Sequence, residues 1–319
     1  MATTPVNLGL IGRGPFWERR FRPALAKLEP RLKVVAVYDN VLGRAEQAAR
    51  ETHARVVGGI TTLVDRPDVQ ALLWLDAGWQ GSSILRLLCE RRKPVLMAVG
   101  CELPLSELQP LHEQAASYGL KIVPAFPKRC TPASNRLQEL LATQLGRPQR
   151  IEVTISPASL EAIPFATEAD FGGASPSPQD PLLEWTDWAQ YVFRALPQQI
   201  TRRGDRQGMR LDFAPLSTSS TAAEPRIAEL SLSPTPPVAD QPTLDEVRLQ
   251  CERGDARLLG SCLIEWTADN VSNSESLIAE RTETEVLLDH FCRRVVGGLI
   301  PVPDLGDLVR ARRATEGQE

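Results

Sequence analysis

The residues with the clearest chemical possibilities open the chain. The run Leu8-Gly9-Leu10-Ile11-Gly12-Arg13-Gly14-Pro15-Phe16-Trp17 is an apolar segment breaking into Gly-x-Gly, the pattern of a first strand turning into a helix beside the phosphates of a dinucleotide. In that fingerprint the first glycine permits the tight turn and the second lets the backbone approach a pyrophosphate. A third, three residues on, lets helix and strand pack closely. Trp17 occupies the third position. Gly12, Arg13, Gly14, Pro15 and Phe16 are therefore the candidate cofactor-binding residues, joined by Asp39, which ends an apolar run 25 residues beyond Gly14. A carboxylate there accepts hydrogen bonds from an adenosine ribose and favours NAD over NADP, whose 2′-phosphate it repels; the alternative is a strand-end aspartate that starts a turn.

Other chemistries find few residues. Only His53, His112 and His290 could supply an imidazole, and all three fall in stretches that read as helical. Cys89, Cys101, Cys130, Cys251, Cys262 and Cys292 are scattered without a C-x-x-C pair, which suits small buried hydrophobes in a reducing compartment better than disulfides or zinc. No metal site is expected. Glu18-Arg19-Arg20-Phe21-Arg22 is either a solvated helix face or an anion site beside the glycines.

With 319 residues, 42% of them hydrophobic and 24% charged, the chain suits two domains of roughly 120 to 200 residues each. A net charge of −4 disfavours sequence-independent binding of nucleic acid. No apolar run approaches the roughly 20 residues of a membrane span, and the first residues lack a basic start and a long apolar core, so a cytoplasmic location is expected.

Strand and helix alternate through the first part. Strands are expected at 32–39, 54–57, 69–75, 94–99 and 120–124, with helices at 18–28, 43–52, 60–64, 82–91 and 106–118. That rhythm predicts a Rossmann-type doubly wound parallel sheet, here residues 1–125. The remainder, 126–319, reads as an α+β domain with an open, mostly antiparallel sheet; whether its C-terminal helices return to the first domain is left open. Its expected pieces are a strand at 151–156, a loop over 157–181, a helix at 182–196, a loose stretch at 212–225 and strands at 226–233, 244–253, 257–267 and 276–281. The Pro-rich 234–242 segment reads as a hairpin or surface loop. A helix at 283–296 stops at Gly297-Gly298, and a last helix starts at 305. A sheet with one face uncovered by helices of its own is a natural surface for a homo-oligomer.

Together these pieces resemble the glucose-fructose oxidoreductase, inositol dehydrogenase and rhizopine-catabolism (Gfo/Idh/MocA) family. The resemblance runs through Leu8–Trp17, Val34–Asp39, Arg66-Pro67-Asp68-Val69-Gln70-Ala71, Lys93-Pro94-Val95-Leu96, Phe126-Pro127-Lys128-Arg129-Cys130-Thr131-Pro132 and the tail from Leu287 to Arg313. It implies an N-terminal NAD(P) domain, an open-sheet substrate domain, redox chemistry on sugars or cyclitols, and dimers or tetramers formed through the sheet.

The same resemblance exposes departures. The family's Glu-Lys-Pro falls on Ala98-Val99-Gly100, or with a shift on Glu102-Leu103-Pro104, and either way the lysine is gone. Its Thr-Pro-Pro-x-x-His corresponds to Asp76-Ala77-Gly78-Trp79-Gln80-Gly81. Its Asp-x-Gly-x-His-x-x-Asp falls on Glu184-Trp185-Thr186-Asp187-Trp188-Ala189-Gln190-Tyr191, placing Trp188 at the general-base histidine and Tyr191 at the aspartate. Oxidising a carbinol requires a group that carries its proton near neutral pH, which imidazole or a tuned lysine does and Val, Leu, Gly and Trp do not. Two readings follow. One is a catalytically degenerate relative that binds a nucleotide or ligand as a scaffold or sensor, with a protein partner. The other is an active NAD(P)H-dependent reductase of a conjugated substrate, similar to biliverdin reductases, with Lys128, Glu184, Asp187 or Tyr191 as proton donor. Trp17, Trp74, Trp79, Trp185, Trp188 and Tyr191 either line an apolar pocket or pack the core.

Overall fold

The computed structural model describes residues 5–14, 16–29, 31–76, 81–98, 105–156, 181–203, 208–215, 225–233 and 244–316. Pro15, Ala77 to Gln80, Val99 to Pro104 and the segments 157–180 and 234–243 lie outside them, and with them both placements of the lost lysine, Trp79 and the Pro-rich loop. The described residues divide into two compact units. The first holds those up to Ala125 together with Arg281–Val309, and the second holds the rest.

The first unit opens with β1 (Val6–Ile11), and after the glycine turn come α1 (Arg22–Lys27) and β2 (Leu32–Tyr38). There follow α2 (Leu42–Thr52), β3 (Arg55–Val56), α3 (Ile60–Val64), β4 (Ala71–Trp74), α4 (Gly81–Arg91), β5 (Val95–Ala98), α5 (Leu105–Ser117) and β6 (Ile122–Ala125). All strands pair in parallel in the order β3-β2-β1-β4-β5-β6, the doubly wound arrangement expected from the alternation. Every residue of β4, β5 and β6 is buried, which is why these strands read as unbroken apolar runs.

The expected helix at 18–28 is different in kind. It begins as a single π turn, Trp17–Phe21, before settling into the short α1. The Phe21 N–H reaches back five residues to the Phe16 carbonyl at 3.2 Å. A residue as large as Trp17 cannot press its own backbone onto the sheet as a glycine does, and the widened turn turns its side chain toward α2 instead. The unit is completed late in the chain by α8 (Glu283–Val295), whose N-cap Thr282 accepts the Glu285 N–H at 3.2 Å. From α8, Glu285 pairs with Lys27 at 2.8 Å, and Asp289, whose side chain is wholly buried, collects Arg31, Arg281 and Arg293.

The second unit begins with a 3-10 turn, Pro127–Cys130, and α6 (Pro132–Leu140). Thr131 caps α6 by accepting the Ser134 N–H at 3.1 Å, and Pro132 takes its first position. After β7 (Pro148–Ile155) and α7 (Pro181–Phe193), the strands are β8 (Pro197–Arg203), β9 (Gly208–Phe213), β10 (Arg226–Leu232), β11 (Glu246–Cys251), β12 (Gly254–Leu259), β13 (Leu263–Ala268) and β14 (Val271–Ser276). α9 (Leu305–Glu316) ends the described chain. The sheet order is β14-β13-β12-β11-β7-β10-β9-β8, with β7 and β10 the parallel pair and the other neighbours antiparallel.

Three expectations are corrected here. The single strand at 257–267 is two, β12 and β13, separated at Gly260, which sits at φ +60°. The last strand lies at Val271–Ser276 rather than 276–281, because Asp269 and Asn270, both at positive φ, make a tight two-residue hairpin immediately before it. The hairpin of β8 and β9 occupies residues to which no element was assigned and enters the expected loose stretch only at Asp212 and Phe213; β8 hides from pattern reading because its residues are exposed or half-exposed throughout.

One face of this sheet buries Ile151, Val153, Leu211, Phe213, Leu249 and Ile264 against Leu137 and Leu140 of α6 and Trp185, Trp188 and Phe193 of α7. The other face is polar. Glu229 gathers Arg150, Arg203 and Arg210 at 3.2–3.5 Å; Glu246 gathers Arg248 at 2.8 Å and Arg257 at 2.6 Å, and Arg257 continues to Glu265 at 3.2 Å. Burial works against the Glu246 carboxylate, but its bonds to Arg248 and Arg257 hold it below the ordinary carboxylate range. A cavity of about 680 Å³ lies on this face, lined in part by Arg150, Glu152, Arg248, Arg257 and Glu265.

Candidate functional site

The glycine turn is built on backbone contacts. The Gly12 N–H donates to the Tyr38 carbonyl at 2.8 Å, locking the end of β1 to the end of β2. Gly12 and Gly14 sit at φ +67° and +60°, and a Cβ on them would come within 2.4 Å of the Asp76 carbonyl oxygen and 2.5 Å of the Leu75 carbonyl oxygen. Both positions thus require glycine on conformation and on space, since the segment leaving β4 presses directly on the turn.

Asp39 lies beneath the turn with its side chain only 1% exposed. Its Oδ2 accepts the Arg13 N–H at 2.9 Å, and its Oδ1 accepts the Val41 N–H at 2.8 Å and lies 3.2 Å from Nε of Arg44. The Arg13 guanidinium turns toward α2, donating to Gln47 at 2.8 Å, pairing with Glu18 and approaching Glu51 at 3.7 Å. Trp17, fully buried, donates its indole N–H to Glu51 at 2.8 Å, and Gln47 donates to the other Glu51 oxygen at 3.1 Å. Burial opposes the charge on Glu51, yet the Trp17 and Gln47 bonds and the Arg13 and Arg22 charges together hold its carboxyl below the ordinary value. Phe16 is buried with Arg20 stacked 4.4 Å over its ring. Glu18 also pairs with Arg22 at 2.9 Å, so the basic cluster is partly tied down by its own acid.

The Gly12 and Arg13 N–H groups are thus taken up by Tyr38 and Asp39, and the space that a Cβ would fill at each glycine is held by Asp76 or Leu75. The Asp39 carboxylate is nearly enclosed, and each of its oxygens already accepts one backbone N–H.

A second cluster lies wholly within the second unit. Lys128, on the 3-10 turn, places Nζ 2.6 Å from Asp245 Oδ2 and 4.4 Å over the Trp185 ring, while Asp245 Oδ1 accepts the Ser156 N–H at 2.9 Å. Next to it, Arg129 grips Asp187 through two N–H groups, the Nε contact at 2.7 Å, with Asp187 only 2% exposed. The Arg129 guanidinium stacks 4.8 Å over Tyr191, whose phenol burial pushes above its usual range despite that positive charge. Trp188 is fully buried and donates its indole N–H to Ser134 Oγ at 2.9 Å; that hydroxyl donates to the Lys128 carbonyl at 2.8 Å. Trp185 meets Trp188 edge-on at 5.6 Å. Glu184 is half-exposed on the same helix.

Of the proton-donor candidates, Lys128, Asp187 and Tyr191 therefore belong to one neighbourhood, but Lys128 and Asp187 stand in separate ion pairs. Trp17, Trp74, Trp185 and Trp188 are core residues, not a pocket lining. Asp245, Ser134, Gln47 and Glu51 escaped sequence reading: Asp245 lies 117 residues from Lys128, and no local pattern joins them. Among the described residues no three His, Cys, Asp or Glu side chains are grouped to hold a metal ion. No described helix is long and apolar enough to cross a membrane.

No protein-family model and no curated protein matches the chain. Solved structures do match its fold. UDP-N-acetylglucosamine 3-dehydrogenase GnnA from Acidithiobacillus ferrooxidans superposes with a TM-score of 0.74 at 16% identity, covering 98% of this chain and 96% of that one. KijD10, a 3-ketoreductase from Actinomadura kijaniata in complex with NADP and TDP-benzene, gives 0.69 at 17% over 97% and 95%. An oxidoreductase from Agrobacterium radiobacter, in complex with NAD+, L-tartaric acid and magnesium, gives 0.75 at 12% over 98% and 95%. The chain thus has the fold of these dehydrogenases and reductases, a Rossmann-type parallel sheet followed by an open, mostly antiparallel one.

Proposed function

We propose that the chain is a divergent relative of the Gfo/Idh/MocA oxidoreductases that holds an NAD(P) dinucleotide at Gly12–Phe16, has lost alcohol dehydrogenation, and serves as a nucleotide- or ligand-binding scaffold or sensor. The observation that carries this reading is Trp188. Where the resemblance implies a general-base histidine there is a fully buried indole tied to Ser134, which neither accepts nor releases a proton near neutral pH. The nearby proton carriers are engaged: Lys128 by Asp245 and Asp187 by Arg129.

On this reading the pyrophosphate lies against the turn from Gly12 to Phe16, and Asp39 holds that turn through the Arg13 N–H. Arg13 and Trp17 anchor it to α2. A bound dinucleotide supplies a hydride donor or acceptor; of the side chains that would move the matching proton, the histidine is replaced by Trp188, and Lys128 and Asp187 stand in ion pairs. Isothermal titration with NADH and NADPH should give a dissociation constant on the order of 1–100 μM. A flat titration with both would remove the cofactor role. Steady oxidation of reduced nicotinamide with a sugar ketone or a conjugated acceptor would instead overturn the degenerate reading.

The same proposal includes a homo-oligomer through the open sheet face, in a reducing, cytoplasmic setting that suits the free thiols of Cys89, Cys130, Cys251, Cys262 and Cys292. Rows of fixed Arg–Glu pairs favour a partner presenting the same rows in reverse, as a two-fold axis provides. Sedimentation at about 50 mM salt should show a dimer that dissociates near 1 M as the pairs are screened; a monomer at low salt counts against it.

A further inference from the structure

We propose that the polar face of the second sheet docks a second copy of this chain about one particular two-fold axis. The axis lies between the two sheets, runs along the strands and passes over the gap between β7 and β11. This rests on the homo-oligomer proposed above and specifies which residues meet.

Residues paired across neighbouring strands share a face. The register carries one row straight across all eight strands, from Thr201 on β8 to Ser274 on β14. Between those ends the row reads Arg210, Glu229, Glu152, Arg248, Arg257 and Glu265. The charges run plus, minus, minus, plus, plus, minus, so the second half repeats the first with order and sign both reversed.

At its centre the row sets like charges side by side, Glu229 next to Glu152 and Arg248 next to Arg257, which is unfavourable within one sheet. Arg150 braces the first doublet at 2.8 and 3.3 Å, and Glu246 braces the second at 2.8 and 2.6 Å. An opposite doublet laid over each would relieve both. The six charged side chains of the row are 21–63% exposed. A guanidinium has five N–H donors and a carboxylate about four acceptor sites, so each can hold one partner within its sheet and another across from it.

Two sheets laid face to face can be related by a two-fold axis across the strands or along them. Across the strands, every charge of the row meets its own copy. Along them, over the β7–β11 gap, Glu152 meets the partner's Arg248, Glu229 the partner's Arg257 and Arg210 the partner's Glu265, and each contact occurs twice. Moving the axis onto β7 sets Arg210 against the partner's Arg257; moving it onto β11 sets Glu229 against the partner's Glu265. The flanking rows add no like-charge contact: Arg150 meets the partner's Gln250, and Thr154 the partner's Glu246. The cavity lined by Arg248, Arg257 and Glu265 then receives the partner's Glu152, the partner's Glu229 and the partner's Arg210.

Arg210 and Glu265 have four strands between them, about 24 Å at the usual strand spacing, so rescue of one by the other is made between chains. In sedimentation of the full chain at about 50 mM salt, Arg210→Glu and Glu265→Arg should each weaken the dimer about tenfold or more. Their equimolar mixture should regain the parental affinity, because both contacts of the mixed dimer again join opposite charges. Should a reversed chain not fold, Ser231→Cys and Leu259→Cys chains, which this axis sets opposite each other, serve instead. A thiol linker of about 10 Å, the spacing of packed sheets, should join the mixture and neither chain alone beyond the parent's level; a mixture no better joined than the single chains overturns the axis. If both reversals weaken the dimer and their mixture stays weak, the face is right and the axis is overturned. A dimer indifferent to both reversals docks elsewhere, which overturns the face as well. A parent chain that is monomeric at that salt removes the homo-oligomer itself and this axis with it.

Discussion

Replacing Trp17 by glycine, which completes the three-glycine fingerprint, lowers the stability of the chain by about 4–6 kcal/mol. The buried indole is fully enclosed, and emptying such a space carries the cost of a large-to-small core substitution, about 3–5 kcal/mol for Trp. Glycine in the first helical turn adds about 1 kcal/mol of backbone entropy. Urea unfolding reads the loss directly, and Trp17→Phe separates its parts. Phenylalanine keeps most of the volume but removes the donor to Glu51, which retains Gln47 and the Arg13 charge, so its loss should stay near 1–3 kcal/mol. A glycine variant as stable as the parent would show that the site is an ordinary fingerprint carrying a replaceable side chain. The expected result places Trp17 in the architecture: the third-glycine position has become a core position, and the π turn is the local adjustment that admits it.

Asp187→Asn is the second large effect. The Arg129–Asp187 pair is two-pronged and its carboxylate is 2% exposed, so removing that charge leaves a guanidinium, itself 13% exposed, without its counter-charge. Breaking a buried pair from one side costs about 3–5 kcal/mol, while an exposed pair is worth about 0–1 kcal/mol. The double replacement Arg129→Met with Asp187→Leu should be milder than the single one, because two apolar side chains leave no charge behind. Loss of less than about 1 kcal/mol in Asp187→Asn would mean that the pair behaves as a surface bridge. That outcome would return Asp187 to consideration as a proton carrier.

The parallel sheet was legible because β1, β4, β5 and β6 are buried almost throughout, and burial on both faces writes itself as an apolar run. The second sheet was legible only where one face is covered: β7, β10 and β11 alternate, whereas β8 does not. The turns that split β12 from β13 and set β14 depend on positive φ at Gly260, Asp269 and Asn270, a property that residue type hints at without fixing. At the turn, Gly12, Gly14 and Asp39 could be picked out by spacing. What Asp39 touches could not, since the same residue in the same place either faces a ligand or turns inward to backbone N–H groups. The partners of Lys128, Arg129 and Trp188 are set by tertiary packing across 54 to 117 residues, and no short pattern carries such distances.

The late return of Arg281–Val309 to the first unit also shapes how the chain is made. During synthesis, the first strands and helices emerge well before the segment that supplies Glu285 and Asp289 to Lys27 and Arg31. Until that segment leaves the ribosome, Lys27 and Arg31 lack these two acidic partners. Contacts this distant in sequence close slowly, and a partly closed parallel sheet exposes apolar surface while it waits. The nascent first unit is therefore the stretch of this protein with most to gain from a chaperone.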